Sequence, residues 1–106
     1  MSHIICWTVP VDHPAFAGHF PDAPILPGVV LLDVALQNIA EVNKVTLESC
    51  EICSVKFLSP VKPGDVLTIE YNTSVNGTLH FDITVDKHKV ATGTVVINSK
   101  ILNPAF

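Results

Sequence analysis

The stretch HFPDAPILPG, residues 19–28, sets three prolines and a glycine behind a single histidine and leads directly into VVLLDVALQNIAEV, residues 29–42. Pro27 suits the first position of a helix, and the run after it is apolar on nearly every face. Its polar exceptions recur at i, i+4 and i+8 and therefore share one side: Asp33, Gln37 and Glu41. The stretch predicts a rigid loop followed by a buried helix from about Pro27 to Val42, with one polar side.

The segments around this helix have the patterns of β-strands. A β-like run, IICWTV, comes before the loop, and CSVKF, LTIEY, LHFDITVD and VATGTVVI come after the helix. In CSVKF, alternation would place Cys53, Val55 and Phe57 on one side and Ser54 and Lys56 on the other. In the next two runs, the predicted apolar side consists of Leu67, Ile69, Tyr71, Leu79, Phe81, Ile83 and Val85. The pattern predicts half-buried antiparallel strands.

Turn residues separate these strands. Asn76-Gly77 supplies the positive φ of a two-residue type I′ hairpin, and the segments 62–65 (KPGD) and 86–89 mark two further turns. We therefore predict an α+β fold in which an antiparallel sheet of five to six strands wraps around one long central helix. The whole chain, residues 1–106, is short enough to be a single domain.

The composition predicts an oligomer. Hydrophobic residues make up 48% of the chain and charged residues only 15%, a small share for the surface of a small monomer. One helix also leaves part of the sheet uncovered, so we expect a homodimer or a higher assembly of dimers. All six cations are lysine and the net charge is −4, which argues against a general role in nucleic-acid binding.

The N-terminus MSHIICWTVP has no basic segment before its short apolar run, so no secretory signal is predicted. No apolar run approaches the ~20 residues that span a bilayer. We expect a cytoplasmic protein without a membrane span. Cys6, Cys50 and Cys53 are odd in number, and the C-x-x-C pair lacks a second pair of ligands, so no metal site is expected.

The loop and helix together carry the motif G-H-F-P-x-x-P-I-x-P-G-V over residues 18–29, with Asp33 fourteen positions after His19. This motif resembles that of the β-hydroxyacyl-acyl-carrier-protein dehydratases of fatty-acid synthesis (FabA/FabZ type). VKFLSPVKPGD, residues 55–65, resembles a strand and turn of the same family. The resemblance implies the hotdog fold and a cofactor-free (3R)-hydroxyacyl-[acyl-carrier-protein] dehydratase, which eliminates water to give a trans-2-enoyl thioester.

The motif mixes features of the two subfamilies. Asp33 matches the acid of the FabA type, whereas the FabZ type carries glutamate, and Gly18 stands where the FabA type usually has cysteine. Isomerase activity therefore stays open. The acyl chain, the carrier (acyl carrier protein or coenzyme A) and the pathway (fatty-acid or polyketide and polyene-type synthesis) are also open at this point.

Dehydration of a 3-hydroxyacyl thioester needs a base at C2, an acid at the C3 hydroxyl and a donor for the charge on the thioester oxygen. His19 is the candidate base, held by the surrounding prolines. Asp33, in an apolar helix, would lose hydration and would serve as the proton donor or orient a water molecule. The N–H of Gly28 at the helix start is the candidate oxyanion donor, with a weaker claim for that of Gly18 or His19.

Each of these residues also has an ordinary structural explanation, as a packed loop histidine, an exposed helix carboxylate or a turn glycine. Their combination in one motif favours catalysis. Gln37 would hydrogen-bond Asp33 or the substrate, or only complete the polar stripe. Phe57, Leu67 and Phe81 are core candidates, although the resembling family has an acyl tunnel between the helix and the dimer interface that such side chains would line.

Two alternatives to the dehydratase are considered. A hotdog acyl thioesterase would also use an acidic residue near the start of the helix, but it would not need His19. A non-catalytic dehydratase-like partner subunit would have lost the histidine or the acid, and neither is lost. In the resembling family the base and the acid of one site come from different subunits, which implies a shared site. An acidic carrier protein would need lysines near the tunnel mouth, and the candidates are Lys56, Lys62, Lys87 and Lys89.

Overall fold

The computed structural model describes residues 2–14, 25–44, 50–73 and 77–97. Within these ranges, the elements follow the chain as β1 (Ser2–Thr8), α1 (Gly28–Asn43), β2 (Cys50–Phe57), β3 (Val66–Thr73), β4 (Thr78–Val85) and β5 (His88–Ile97). The strands form one antiparallel sheet in the order β1-β3-β4-β5-β2. The predicted α+β arrangement is confirmed, with five strands and a helix of 16 residues.

The inner face of the sheet is built from the apolar side chains that the alternation predicted. One cross-strand row runs through Tyr71, Phe81 and Gly93. The fully buried members of the predicted set are Leu67, Ile69, Tyr71, Leu79, Phe81 and Ile83, whereas Val85 is half-buried. They share one core cluster with Leu31 and Ile39 of α1. Because each large apolar side chain contributes roughly 1.5–3 kcal/mol when fully buried, this shared core holds the helix on the sheet.

Helix α1 begins one residue after Pro27 and ends at Asn43, close to the predicted bounds. Lys44 follows in the left-handed conformation, with φ of 57°, and its backbone N–H donates to the carbonyl of Glu41 at 3.2 Å. The side of the helix that faces the sheet consists of Leu31, Ala35, Leu36, Ile39 and Ala40. None of the helical segments in the described ranges has the length and apolar character that a bilayer crossing requires.

The polar stripe predicted on α1 is present, but it is exposed. Asp33, Gln37 and Glu41 all face away from the core, and Val29 on the same side is 73% exposed. The prediction that the helix buries the Asp33 carboxylate is wrong for a single chain. The reason is geometric, since one five-stranded sheet covers only the opposite side of the helix.

The tight turn between β4 and β5 is made by Asp86 and Lys87. Their φ values are 50° and 65°, and Val85 pairs with His88. Positive φ at both central residues is the signature of a type I′ turn. The predicted turn in this region is confirmed, and it brings His88 to the first position of β5.

The other two predicted turns have different outcomes. In KPGD, Gly64 has φ of 85° and the Asp65 carboxylate accepts the N–H of Lys62 at 2.8 Å, which confirms that turn. For Asn76-Gly77, Asn76 lies outside the described residues, and Thr73 pairs with Leu79. The prediction of a two-residue loop therefore stays a prediction. Three-residue hairpin loops also place glycine in the left-handed region, so the dipeptide alone does not decide the length.

Strand β2 lies at one edge of the sheet and carries a β-bulge. Ile52 pairs with Val95 and Ser54 with Thr94, so Cys53 is an extra residue on β2. The prediction that Cys53 lies on the same side of the strand as Val55 and Phe57 is therefore wrong, because the bulge at Cys53 interrupts the alternation. From Ser54 to the end of the strand, the alternation follows the prediction.

Replacing Gly93 by alanine should strongly destabilise the fold. A Cβ atom at this position would lie 2.5 Å from Cζ of Phe81 and 2.9 Å from the backbone oxygen of Ser54, so the ring and two strands would have to shift. We expect Gly93→Ala to lower the free energy of unfolding by about 1–3 kcal/mol or more in chemical denaturation. The neighbouring Thr94→Ala, whose side chain points to the outer face, should cost under ~1 kcal/mol. Equal stability of the two variants would contradict the packing described for this row.

Candidate active site

A pocket of about 310 Å³ opens where the start of α1 meets the end of β2. The described residues that line it are Ile25, Leu26, Pro27, Gly28, Leu31, Phe57, Leu58, Ser59, Pro60 and Val61. Its two walls are joined by an isolated antiparallel bridge between Leu26 and Val61, in which the N–H of Leu26 donates to the Val61 carbonyl at 2.7 Å. The bridge holds the residues just before α1 against the segment after β2. These two segments are the walls of the pocket, so both walls have a defined position.

Gly28 and Phe57 form the closest contact in this pocket. A Cβ atom added to Gly28 would lie 3.0 Å from Cζ of the Phe57 ring, so a larger residue would push the ring away. Both residues were predicted substrate-binding candidates, and the structure brings them together. Phe57 is nevertheless 48% exposed, so its ring forms part of the pocket rim and not of the closed core.

The start of α1 presents backbone donors. Pro27 has no capping side chain, and its carbonyl accepts the N–H groups of Val30 and Leu31 at 3.0 Å each. By helix geometry, the N–H groups of Gly28 and Val29 then have no acceptor within the helix. Such a helix start attracts negative charge, through the N–H groups and the helix dipole. The position of Gly28 in the pocket wall fits the oxyanion donor that the sequence suggested.

Asp33 lies one and a half turns into the helix and is bonded to Gln37. The amide nitrogen Nε2 of Gln37 donates to Oδ2 of Asp33 at 2.8 Å, and both side chains are exposed. Of the alternatives for Gln37, the contact with Asp33 is the one that this chain makes. The hydrogen bond orients the carboxyl group and leaves Oδ1 available to another partner.

His19 and Gly18 lie in residues 15–24, outside the described residues. Their roles as base and as alternative oxyanion donor therefore stay predictions. The structure gives the positions of Gly28, Asp33, Gln37 and Phe57 among the predicted site residues. Of the three core candidates, Leu67 and Phe81 are completely buried and are not among the described residues that line the pocket, whereas Phe57 lines it.

The sequence interpretation missed a polar pair at the pocket wall. Oγ of Ser59 lies 2.9 Å from Nε2 of His88. Ser59 lies in the strand-and-turn motif over residues 55–65, and His88 lies in the turn predicted over residues 86–89. The signal in the sequence is weak, because the contact spans 29 positions. It depends on the tight turn that places His88 beside the segment after β2.

Two of the candidate carrier-binding lysines lie on the outer face of the sheet, away from the helix. Lys56 pairs with Thr92, and Nζ of Lys89 lies 3.4 Å from Oδ1 of Asp82. Partial desolvation raises the pKa of Asp82, but hydrogen bonds from Thr92 and Lys89 and the charges of Lys89 and His80 outweigh it, so this pKa lies below its usual value. Strand alternation turns these two lysines away from the helix. That the four candidate lysines lie near the mouth of an acyl tunnel stays a prediction.

Known proteins resemble this chain in sequence. The family model of the ApeI-like proteins, described as ApeI dehydratase, matches residues 1–94. The 3-hydroxyacyl-[acyl-carrier-protein] dehydratase FabZ of Chlamydia trachomatis serovar L2 is 41% identical over 76 residues, which cover 63% of this chain and 50% of that protein. The FabZ of Hydrogenobaculum sp. is 31% identical over 107 residues, which cover 92% of this chain and 67% of that protein. The chain spans about half the length of the Chlamydia relatives it matches.

The fold is shared with solved structures. The dehydratase heterocomplex ApeI:P from Xenorhabdus doucetiae superposes with a TM-score of 0.72 at 26% identity, covering 91% of this chain and 86% of that chain. The hotdog fold implied by the motif is thereby confirmed. Since the family model extends over both the motif at the helix start and most of the sheet, the chain belongs to the ApeI-like dehydratase family.

Proposed function

We propose that the chain is a (3R)-hydroxyacyl thioester dehydratase that acts on substrates carried by acyl carrier protein. The observation that carries this proposal is the pocket at the start of α1, where the uncapped N–H groups of the helix adjoin an apolar wall. Such a pocket suits a neutral acyl thioester whose carbonyl oxygen becomes negative during the reaction. The relatives named FabZ act, by that name, on 3-hydroxyacyl-acyl-carrier-protein, and we extend this substrate class to the present chain.

The proposed mechanism uses three groups of the protein. His19 removes a proton from C2, and the electron pair left on C2 forms the double bond to C3 while the thioester oxygen carries transient negative charge. The N–H of Gly28 donates to that oxygen. Asp33 gives a proton to the departing C3 hydroxyl, either directly or through an oriented water molecule, so that water and a trans-2-enoyl thioester leave. Gln37 holds Asp33 in place for this transfer. No metal or redox cofactor takes part in these steps.

We further propose that the working protein is a homodimer with shared sites. Asp33 is exposed in one copy, and the apolar Val29 beside it is 73% exposed. Ile52 on the edge strand β2 is 48% exposed, and an unpaired edge strand offers backbone groups to a second copy. In the proposed dimer, the second copy covers these residues. Its His19 then faces Asp33 of the first copy.

One observation favours a variant of this arrangement. The solved relative from Xenorhabdus doucetiae is a dehydratase heterocomplex, ApeI:P. The same exposed surface of this chain would then pair with a non-identical subunit. Both forms predict an interface at the exposed side of α1 and the edge of β2. They differ in whether the purified chain is active alone.

We also propose that the protein works in the cytoplasm. Cys6 and Cys53 are free and exposed thiols in the described part of the chain, which suits a reducing compartment.

The proposed activity is tested by hydration of crotonyl and longer enoyl thioesters, the reverse of dehydration, in the absence of added metal. We expect His19→Ala and Asp33→Asn each to lower kcat/KM on the order of 10²–10⁴-fold, because each removes a proton-transfer group. The matched control is Glu41→Gln, which neutralises the carboxylate two turns further along the same exposed stripe and should leave kcat/KM within about twofold.

Two results would contradict this mechanism. Activity that is abolished by a chelator and restored by zinc would replace proton transfer by His19 and Asp33 with metal chemistry. Release of a free thiol that persists in His19→Ala would identify a thioesterase instead.

The proposed homodimer is tested by analytical sedimentation at micromolar concentration. We expect the wild-type chain to sediment as a dimer or an assembly of dimers, and Ile52→Lys to dissociate it, because a charge would be buried at the edge of β2. The control is Ile4→Lys, which places the same charge at an apolar residue, 63% exposed, on the opposite edge strand β1. A stable wild-type monomer, or equal behaviour of the two variants, would argue against this interface.

A further inference from the structure

We propose that Ser59, positioned by His88, binds the carbonyl oxygen of the amide group next to the thioester in the substrate's pantetheine arm. This inference rests on the proposed function, since it names the part of the thioester substrate that the pocket wall recognises. Ser59 is the binding residue in this proposal. His88 acts through Ser59 and is a positioning residue.

The composition of the pocket singles out Ser59. Of the described residues that line it, Ser59 alone has a polar side chain, and the others are apolar side chains, prolines and Gly28. Pockets of this kind bind through apolar contact and fix the orientation of the ligand with a few polar groups. A ligand with one hydrogen-bonding group at a set distance from its reacting end would find one matching side chain here.

The backbone around Ser59 is held in place, so its hydroxyl has a defined position. The N–H groups of Leu58 and Ser59 both donate to the carbonyl of Val90, at 2.8 and 3.3 Å. Val90 lies two residues after His88 on β5, and its side chain is buried. The strand that supplies His88 therefore also anchors the segment that carries Ser59. Rotation about the Cβ–Oγ bond is the freedom that remains for the bonded hydroxyl.

The contact with His88 determines which hydrogen bond Ser59 offers to a ligand. A serine hydroxyl has one proton to donate and two lone pairs that accept. When Nε2 of His88 carries a proton, it donates to Oγ at 2.9 Å, and the serine proton stays available for an acceptor in the pocket. An amide carbonyl oxygen is such an acceptor. His88 in this tautomer makes Ser59 a donor toward the pocket.

The chemistry of the carrier arm provides the acceptor. In a pantetheine thioester, two methylene groups separate the sulfur from an amide. If the thioester oxygen lies at the N–H of Gly28, the acyl chain and the arm leave that point in different directions. The acyl chain must reach the proton-transfer groups, neither of which is among the described residues that line this pocket, so we place the arm along the wall where Ser59 is the polar group among apolar residues. The methylenes suit that apolar surface, and the amide needs a hydrogen-bond partner there.

The test compares two crotonyl thioesters on the intact protein. Crotonyl-N-acetylcysteamine contains the amide, and the thioester S-propyl thiocrotonate lacks it. We expect Ser59→Ala to lower kcat/KM for the first about fivefold to tenfold, mainly through KM, and to change the second less than twofold. Ser59→Thr keeps the hydroxyl and should retain the preference for the amide substrate. His88→Phe should resemble Ser59→Ala, while His88→Gln, which keeps a donor, should retain part of the preference.

A binding measurement keeps the test independent of turnover. The saturated thioesters butyryl-N-acetylcysteamine and S-propyl thiobutyrate cannot be hydrated. Their dissociation constants are measured by NMR titration on wild-type and Ser59→Ala proteins, after the two proteins are shown to have equal thermal stability. If Ser59→Ala weakens the binding of only the amide ligand, the assignment of Ser59 is supported. A failure of the wild-type protein to hydrate any enoyl thioester would refute the proposed function and leaves this binding result unaffected. Equal weakening of both ligands, or no change in either, would overturn the assignment of Ser59.

Discussion

The close contact between Gly28 and the Phe57 ring is the constraint on which the candidate site depends. Because Gly28 has no side chain, the first turn of α1 approaches the end of the edge strand β2 so closely that a Cβ atom would lie 3.0 Å from the ring. The bridge between Leu26 and Val61 fixes the same approach from the loop side. Together they create a pocket in which backbone N–H groups and an apolar wall face one another. The core beneath α1 supports this arrangement and shares Leu26, Leu31 and Val61 with the pocket wall.

The donor groups at the start of α1 do not by themselves distinguish a dehydratase from a thioesterase. Dehydratases and thioesterases both need a donor for a thioester oxygen, so the start of α1 would serve either reaction. The distinction lies in proton transfer at C2 and C3, which requires a base within reach of C2 and an acid within reach of the C3 hydroxyl. The structure places Asp33 and Gln37 on an exposed helix face, where they have no contact with the pocket of the same chain among the described residues. This separation is why a second subunit enters the proposed mechanism.

Local patterns in the sequence predicted most of the fold. The apolar side of β3 and β4, the bounds of α1 and the KPGD turn follow from periodicity and turn chemistry between residues close in sequence. What failed was decided by pairing between distant residues. The bulge at Cys53 depends on the register of β2 against β5. The exposure of Asp33 depends on how much of the helix one sheet covers, which no local pattern gives.

The same division applies to the site. The motif over residues 18–29 and Asp33 predicted the catalytic candidates because they lie together in sequence, and the structure adds the contact of Gly28 with Phe57. The pair of Ser59 and His88 was missed because 29 positions separate them and His88 lies outside both motifs. A resemblance transfers the roles of motif residues, whereas a pocket wall assembled from two strands requires the tertiary structure.

The central claim, that base and acid meet across two subunits, is tested most directly by complementation. His19→Ala and Asp33→Ala chains, each nearly inactive, are unfolded, mixed in equal amounts and reassociated, and heterodimers are verified by mass. A shared site leaves one intact site in each heterodimer. Since half of the dimers are mixed, about a quarter of wild-type activity should return. If the mixture contains heterodimers and remains as inactive as its parents, the shared site is contradicted.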